Sequence, residues 1–126
     1  MSLRHHELCF GCGRTNLFGL LLEVEEVAPG AVAGRCFIKQ GHQGADGGRA
    51  HHGVLASALV EGMALACGVD ARAVSFSVTL DAPAPVGGYV EVQARMESRD
   101  GPLANAIAIG TVDGRIVAQA RGRFRS

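Results

Sequence analysis

The sequence has no apolar run near the roughly 20 residues that cross a bilayer. Its first residues, MSLRHHELCF, also lack the apolar core of a signal peptide. These absences predict a cytoplasmic protein whose four cysteines stay reduced. Charge of one sign is not in excess, because twelve Lys plus Arg balance twelve Asp plus Glu and no basic run occurs. We therefore expect neither a nucleic acid nor a membrane surface as partner.

Low-complexity segments, internal repeats and linkers are missing too, and 126 residues fit one domain spanning 1–126. Alternating apolar residues predict strands, and Gly and Pro pairs predict the turns between them. One segment, 53–67, is apolar almost all round and rich in small residues, which predicts a buried helix. The predicted strands are 18–28, 31–39, 73–81, 89–98, 103–112 and 115–124.

The order of two strands, one helix and four strands predicts an α+β fold. A single apolar helix must be covered by apolar sheet faces. One curved antiparallel sheet of about six strands, wrapped around the long buried helix, achieves this with short connections. The edges of such a sheet need protection, so we expect a homodimer or homotetramer.

Glu61 is the only Asp, Glu, Lys or Arg between Arg49 and Asp70. A carboxylate in an apolar helix is costly unless it is paired or partly hydrated. Such a group suits a general base or nucleophile. The alternative is a structural Glu that forms a salt bridge or reaches solvent, since ion pairs also create such sites.

The helix begins near Ala50-His51-His52-Gly53. A helix N-terminus offers unpaired backbone N–H groups and a partial positive charge, which can hold a carbonyl oxygen that becomes negative during attack. Gly53 would let a substrate approach the backbone closely. The alternative is that Gly53 is only a permissive first residue and that the histidines cap the helix.

Glu61 lies eight residues after Gly53, about 12 Å along the helix axis. A glutamate side chain cannot easily span this distance back to its own helix N-terminus. If the two groups act together, Glu61 should meet Gly53 of the partner subunit, which predicts a site at a subunit interface.

The pair Cys9-x-x-Cys12 lies near His5 and His6, and zinc uses thiolate and imidazole ligands at such spacings. A second C-x-x-C is missing, however, and one supplies only half of a structural site. We therefore favour a turn with small buried thiols, and expect neither a metal nor a cofactor. A nucleophilic Cys67 is disfavoured by its position near a helix C-terminus.

Three segments together resemble the hot-dog-fold thioesterases, in the branch of the phenylacetyl-CoA and 4-hydroxybenzoyl-CoA thioesterases. CFGCG, then N and GL, looks like the family's opening C-x-x-C-G…N-x-x-G-L. HQG followed by HHGVLASALVEGMA resembles H-Q-G…H-G-G-V-L-A-x-L-L-D-E-A-M, and DAPAPVGGYVEVQARM resembles the segment Y-x-R-P-x-P-x-G…V-x-A-x-V. The likeness covers nearly the whole chain.

The resemblance implies hydrolysis of acyl-CoA thioesters, with a small, medium-chain or aromatic acyl group, without a cofactor. Glu61 would be the base or nucleophile, the Gly53 N–H would hold the oxyanion and His52 would be a positioning residue. The remaining substrate-orienting candidates lie in the preceding loop and on the helix: Gln43, Asp46, His51 and Ser57.

The sequence departs from the family at the helix N-terminus, where His-Gly-Gly is replaced by His51-His52-Gly53. Aligning His52 with the motif histidine puts Glu61 at the catalytic acid position. Aligning His51 instead puts Val60 there and Glu61 on the following acid. Because no other acid is available on the helix, we favour Glu61 in either register.

Two other functions stay open. The same fold hosts non-enzymes, so the altered motif is also compatible with a non-catalytic domain that binds acyl-CoA or an acyl carrier. Dehydration of an acyl-CoA is a third possibility on this fold, and it would leave the thioester intact.

Overall fold

The computed structural model describes residues 2–126. It has strands β1 (Glu23–Ala28), β2 (Ala31–Phe37), β3 (Arg72–Leu80), β4 (Tyr89–Asp100), β5 (Leu103–Val112) and β6 (Arg115–Arg125). A short 3₁₀ turn covers Gln40–His42, and the helix α1 covers His52–Cys67. The predicted order of strands and helix is confirmed. Within the described chain, no helix is long and apolar enough to cross a membrane.

The six strands form one antiparallel sheet in the order β1-β2-β4-β5-β6-β3. Helix α1 packs on one face of it, with its main contacts to β4, β5 and β6. Small residues allow this approach: a Cβ on Gly62 would lie 2.9 Å from Cγ1 of Val92. The predicted burial of the helix is confirmed, because nine of its 16 residues are buried. One helix covered by one sheet is the predicted α+β fold.

The last hairpin follows the predicted turn chemistry. Asp113 and Gly114 have φ values of 50° and 81° between β5 and β6. Two successive positive φ values are typical of the tight turn that matches the twist of paired strands, and Asp-Gly is a favoured pair for it.

The predicted start of the first strand at residue 18 is wrong, since β1 begins at Glu23. The backbone before it pairs with the N-terminal loop instead: Leu20 N donates to Phe10 O, and Leu22 N donates to Gly11 O, both at 2.8 Å. Leu20 and Leu22 are buried. Their apolar pattern thus reflects packing of a loop against the core.

Strand β3 lies at one edge of the sheet and is the least covered element. Its apolar residues Val74, Phe76 and Leu80 are 53%, 52% and 51% exposed, whereas Val78 is half-buried. These four apolar side chains alternate along the predicted strand 73–81, but a single chain leaves them exposed or only half-buried. An exposed apolar edge strand is a template for pairing with another strand.

The N-terminal loop, residues 2–22, crosses the helix near Glu61. Leu3 N donates to Val24 O, and Gly13 N donates to Cys9 O. Gly11 allows the closest approach, since a Cβ at this position would lie 2.4 Å from Cδ of Glu61. A glycine is therefore required where the loop meets the helix.

Candidate active site

Glu61 is partnered by the N-terminal loop. Its Oε2 lies 2.9 Å from His5 Nδ1 and accepts a hydrogen bond from the Cys9 thiol at 3.3 Å. The Glu61 side chain is 15% exposed, and that of His5 is 13% exposed. The carboxylate is thus partnered by the N-terminal loop and not by Lys or Arg, and both roles considered for Glu61 stay predictions.

Glu61 also lines an open cleft of about 290 Å³, which we call the Glu61 cleft. Ser57, one turn earlier on α1, lines the same cleft, as does the exposed Phe76 of β3. Val60 is a lining residue too, so both registers of the motif place their candidate residue at this cleft. Its complete lining is Cys9, Phe10, Gly11, Ala56, Ser57, Val60, Glu61 and Phe76.

The thiols of the N-terminal loop face the same carboxylate. Cys12 is buried, and its Sγ accepts a hydrogen bond from His5 N at 3.1 Å and lies 3.4 Å from His5 Nδ1. Burial, which is the larger cause, and the hydrogen bond to Glu61 raise the pKa of the Cys12 thiol above its usual value. This thiol is therefore neutral near pH 7 when no cation is bound.

The sequence placed Cys9 and Cys12 near His5 as a disfavoured zinc site, and it was not predicted that Glu61 joins them. One donor atom each from His5, Cys9, Cys12 and Glu61 lies within 4.8 Å of the others. The prediction of small buried thiols holds for Cys12, whereas Cys9 is only partly buried. The signal that could have found the cluster was the spacing His5-x₃-Cys9-x₂-Cys12 taken together with the single acid of the helix.

The helix N-terminus is capped by its own histidine. His51 Nδ1 accepts a hydrogen bond from Gly53 N at 2.8 Å, which is a capping contact. The rings of His51 and His52 lie 4.0 Å apart, and both side chains are exposed. The N–H that was predicted to hold an oxyanion is therefore engaged in this structure.

The Gly-rich loop that precedes the helix, residues 41–48, is held by Gln43. Its amide donates to Gln40 O at 2.9 Å, and its Oε1 accepts from Gly48 N at 2.7 Å. Asp46 lies in a second cleft of about 360 Å³, the N-terminal cleft, together with His51 and His52. Gln43 is outside the lining of that cleft, so its predicted role toward a substrate stays a prediction.

His42 is a buried histidine whose Nδ1 accepts a hydrogen bond from Lys39 N at 3.0 Å. Burial, which is the larger cause, and the charge of Lys39 lower the pKa of His42 from the ordinary value of 6.5. It is thus a neutral structural residue that closes the turn before the Gly-rich loop. His42 belongs to the HQG segment of the family resemblance, and no structural role was predicted for it there.

The two clefts lie at different places on one chain. The helix puts Gly53 and Glu61 about 12 Å apart along its axis, and the lining sets of the two clefts share no residue. Strand β3 runs past both, because Phe76 lines the Glu61 cleft and Leu80 lines the N-terminal cleft.

Comparison of the fold identifies its class. A phenylacetic acid degradation-related protein from Ralstonia eutropha JMP134 has a TM-score of 0.78 at 18% identity, over 85% of this chain and 86% of that one. A mutant of the phenylacetic acid degradation protein PaaI from Thermus thermophilus has a TM-score of 0.75 at 25% identity, over 82% and 91%. A hypothetical thioesterase from Streptococcus pneumoniae TIGR4, solved with coenzyme A, has a TM-score of 0.75 at 16% identity, over 82% and 84%.

The chain therefore has the hot-dog fold, and the predicted resemblance to hot-dog thioesterases is confirmed at this level. Neither a protein-family model nor a curated protein sequence matches the chain.

Proposed function

We propose that the protein hydrolyses acyl-CoA thioesters to a free acid and coenzyme A. The observation that carries the proposal is the Glu61 carboxylate, the one charged group of the buried helix, at the wall of an open cleft. The structural neighbour with bound coenzyme A supports the substrate class. We also propose that the protein acts in the cytoplasm, where its free cysteines would stay reduced.

In this mechanism Glu61 accepts a proton from a water molecule, and the water oxygen attacks the thioester carbonyl carbon. The carbonyl oxygen becomes negative, and a backbone N–H stabilises it. The C–S bond then breaks, and the proton passes to the departing thiolate of coenzyme A. Oε2 of Glu61 already contacts His5 and Cys9, so Oε1 would take the proton. Oε1 faces Gly11, whose backbone lines the same cleft.

The oxyanion donor would come from a second copy of the chain, because Gly53 and Glu61 are separated on one helix. Suppose that two β3 strands pair antiparallel with Val78 opposite Val78. Phe76 of each copy then lies opposite the partner's Leu80. The offset of four strand residues is about 13 Å, close to the helix offset of about 12 Å. Such pairing would therefore join the Glu61 cleft of one subunit to the N-terminal cleft of the other and cover the apolar residues of β3.

The N-terminal cleft would then bind the thioester carbonyl. The N–H donor would be Gly53, which follows the lining residue His52 in the chain, and it becomes available when the exposed His51 side chain rotates away. His52 and Asp46 line this cleft and would orient the carbonyl or the water. Ser57 would contact the acyl group from the wall of the Glu61 cleft.

The test is release of free thiol from a panel of acyl-CoAs that runs from acetyl to long-chain and aromatic acyl groups. The Glu61→Gln variant removes the base while keeping the size of the side chain. Glu26→Gln, an exposed position on β1, is the matched control. Thiol release that is lost only in Glu61→Gln supports the proposal, and undiminished release in that variant would overturn the role of Glu61.

A non-catalytic acyl-CoA-binding domain is the second candidate. It is favoured by the engagement of both reactive groups within the chain, Glu61 with His5 and Gly53 N with His51. It predicts saturable binding of acyl-CoA in calorimetry without release of thiol from any member of the panel.

A further inference from the structure

The cluster around Glu61 contains four potential ligands for one metal ion. Its donors come from two segments that are far apart in sequence, the N-terminal loop with His5, Cys9 and Cys12, and helix α1 with Glu61. The ligand atoms are one imidazole nitrogen, two sulfurs and one carboxylate oxygen. Three of the four side chains are partly buried and the Cys12 side chain is buried.

Four of the six donor separations lie in or near the range of a tetrahedral site. Zinc bonds of about 2.3 Å to sulfur and about 2.0 Å to nitrogen or oxygen require donor–donor separations of about 3.3–3.8 Å. His5 Nδ1 lies 3.6 Å from Cys9 Sγ and 3.4 Å from Cys12 Sγ. Oε2 of Glu61 lies 3.3 Å from Cys9 Sγ and 2.9 Å from His5 Nδ1. The other two separations, from Cys12 Sγ to Cys9 Sγ and to the Glu61 carboxylate, are within 4.8 Å, so side-chain adjustments of up to about 1 Å would place all four donors around one ion.

The local backbone is arranged for such a site. Gly13 N donates a hydrogen bond to Cys9 O. This bond closes a turn that places the Cys9 and Cys12 thiols on the same side. His5 N donates to Cys12 Sγ, and a backbone N–H of this kind stabilises a thiolate. Gly11 lets the loop lie against Glu61. These contacts fix the orientation of the ligand side chains, as contacts outside the ligand set do in metal sites generally.

We propose that His5, Cys9, Cys12 and Glu61 bind one Zn²⁺ ion. Two sulfurs with one imidazole favour zinc over the hard cations Mg²⁺ and Ca²⁺, which prefer oxygen ligands. Binding replaces the proton on each of the two thiols, and those protons are released to solvent. The ion stays divalent, so no electron donor or acceptor is needed.

The site goes beyond the proposed hydrolysis, although it shares Glu61 with it. A zinc ion on Oε2 would fix the N-terminal loop to the helix and leave Oε1 beside Gly11 at the cleft wall. Metal binding and thiol release are separate measurements, so each proposal fails on its own result. The absence of hydrolysis would leave zinc binding intact, and a metal-free protein that hydrolyses thioesters would overturn only the zinc site.

The experiment uses the full chain, purified without chelator, and measures its zinc content. The protein is then stripped with a chelator and titrated with Co²⁺, which reports thiolate ligands by a charge-transfer band and tetrahedral geometry by intense visible bands. We expect one ion per chain. Replacing Cys9 and Cys12 by Ser should abolish the charge-transfer band and weaken zinc binding by at least about 100-fold, since even outer contacts cost 10–100-fold.

The chain offers matched controls for each ligand. Cys67→Ala removes a buried cysteine outside the cluster, and His6→Asn replaces the neighbouring exposed histidine. Both should keep the full cobalt spectrum, whereas His5→Asn should lose it. Glu61→Gln keeps the three ligands of the loop and replaces only the carboxylate, so weaker Co²⁺ binding is expected in it even if the cysteine variants unfold.

Three results would overturn the proposal. The first is a full-length chain that takes up neither zinc nor Co²⁺ in stoichiometric amounts. The second is an unchanged cobalt spectrum after replacement of Cys9 and Cys12. The third is a disulfide between Cys9 and Cys12 in protein prepared from reducing cells, because a disulfide supplies no thiolate.

Discussion

His5 Nδ1 lies 2.9 Å from Oε2 of Glu61, although the two residues are 56 positions apart in the chain. This contact joins the N-terminal loop to the centre of the buried helix. It makes the carboxylate part of a cluster with two thiols. The proposals for hydrolysis and for zinc binding both depend on this position.

Gly11→Ala should destabilise the protein, because a Cβ at this position would lie 2.4 Å from Cδ of Glu61. Either the loop or the carboxylate must move, and overpacking of this kind costs about 1–3 kcal/mol. Urea unfolding of Gly11→Ala measures the change. Gly41→Ala is the control, since a Cβ there would meet nothing within 4 Å. Equal unfolding free energies for both variants would contradict the tight approach of loop and helix.

His51→Ala should lower the thermal midpoint, because it removes the side chain that caps Gly53 N. Loss of an N-cap costs about 1 kcal/mol. His52→Ala is the comparison, since the His52 side chain makes no capping contact. If both variants unfolded at the same temperature in circular dichroism, the capping role of His51 would be refuted.

Phe76→Lys should reduce the molar mass in solution to that of one chain. The substitution places a charge on the exposed apolar edge strand, where two copies would otherwise pair. Val27→Lys is the control, because Val27 is 65% exposed on β1 at the opposite edge of the sheet. Light scattering after gel filtration gives both masses. A monomeric mass for the unchanged protein, or a dimeric mass for Phe76→Lys, would argue against pairing through β3.

The stability of the protein should fall as the pH drops from 7.5 to 5.5, in part through His42. Its pKa is lowered in the folded chain, so the unfolded chain binds the proton first once the pH falls below about 6.5. The His42 contribution is full above that pH and is lost toward the lowered folded pKa, by up to about 1.4 kcal/mol per pH unit.

Urea unfolding of the unchanged protein and of His42→Asn at both pH values measures the contribution of His42 to the free energy of unfolding. An Asn side-chain oxygen can still accept from Lys39 N, but it does not titrate. The fall in unfolding free energy should therefore be smaller in the variant. An identical fall would mean that His42 is not responsible.

Much of the fold could be predicted because its signals are local. Alternation along the strands, the Asp113-Gly114 turn and the small residues of the helix each act within a few residues. The predicted start of the first strand failed at Leu20 and Leu22, whose apolar pattern comes from loop packing rather than from pairing in the sheet. Periodicity alone does not distinguish the two cases.

The candidate site was predicted only in part. Glu61 stood out because it is alone among apolar neighbours, and His51 was expected as a cap in one of two alternatives. The grouping of Cys9 and Cys12 with His5 was considered from their spacing, but their contact with Glu61 was not predicted, because it forms across about fifty residues and no local pattern specifies it. The exposed apolar edge of β3 likewise became visible only once the strand order was known.

The most direct test of the account is the rate of thiol release by the unchanged protein and by Glu61→Gln, measured on the best acyl-CoA of the panel. General base catalysis contributes about 10²–10⁴-fold, so the account predicts a loss of at least about 100-fold in the variant and no loss in Glu26→Gln. Equal rates in all three proteins would contradict it.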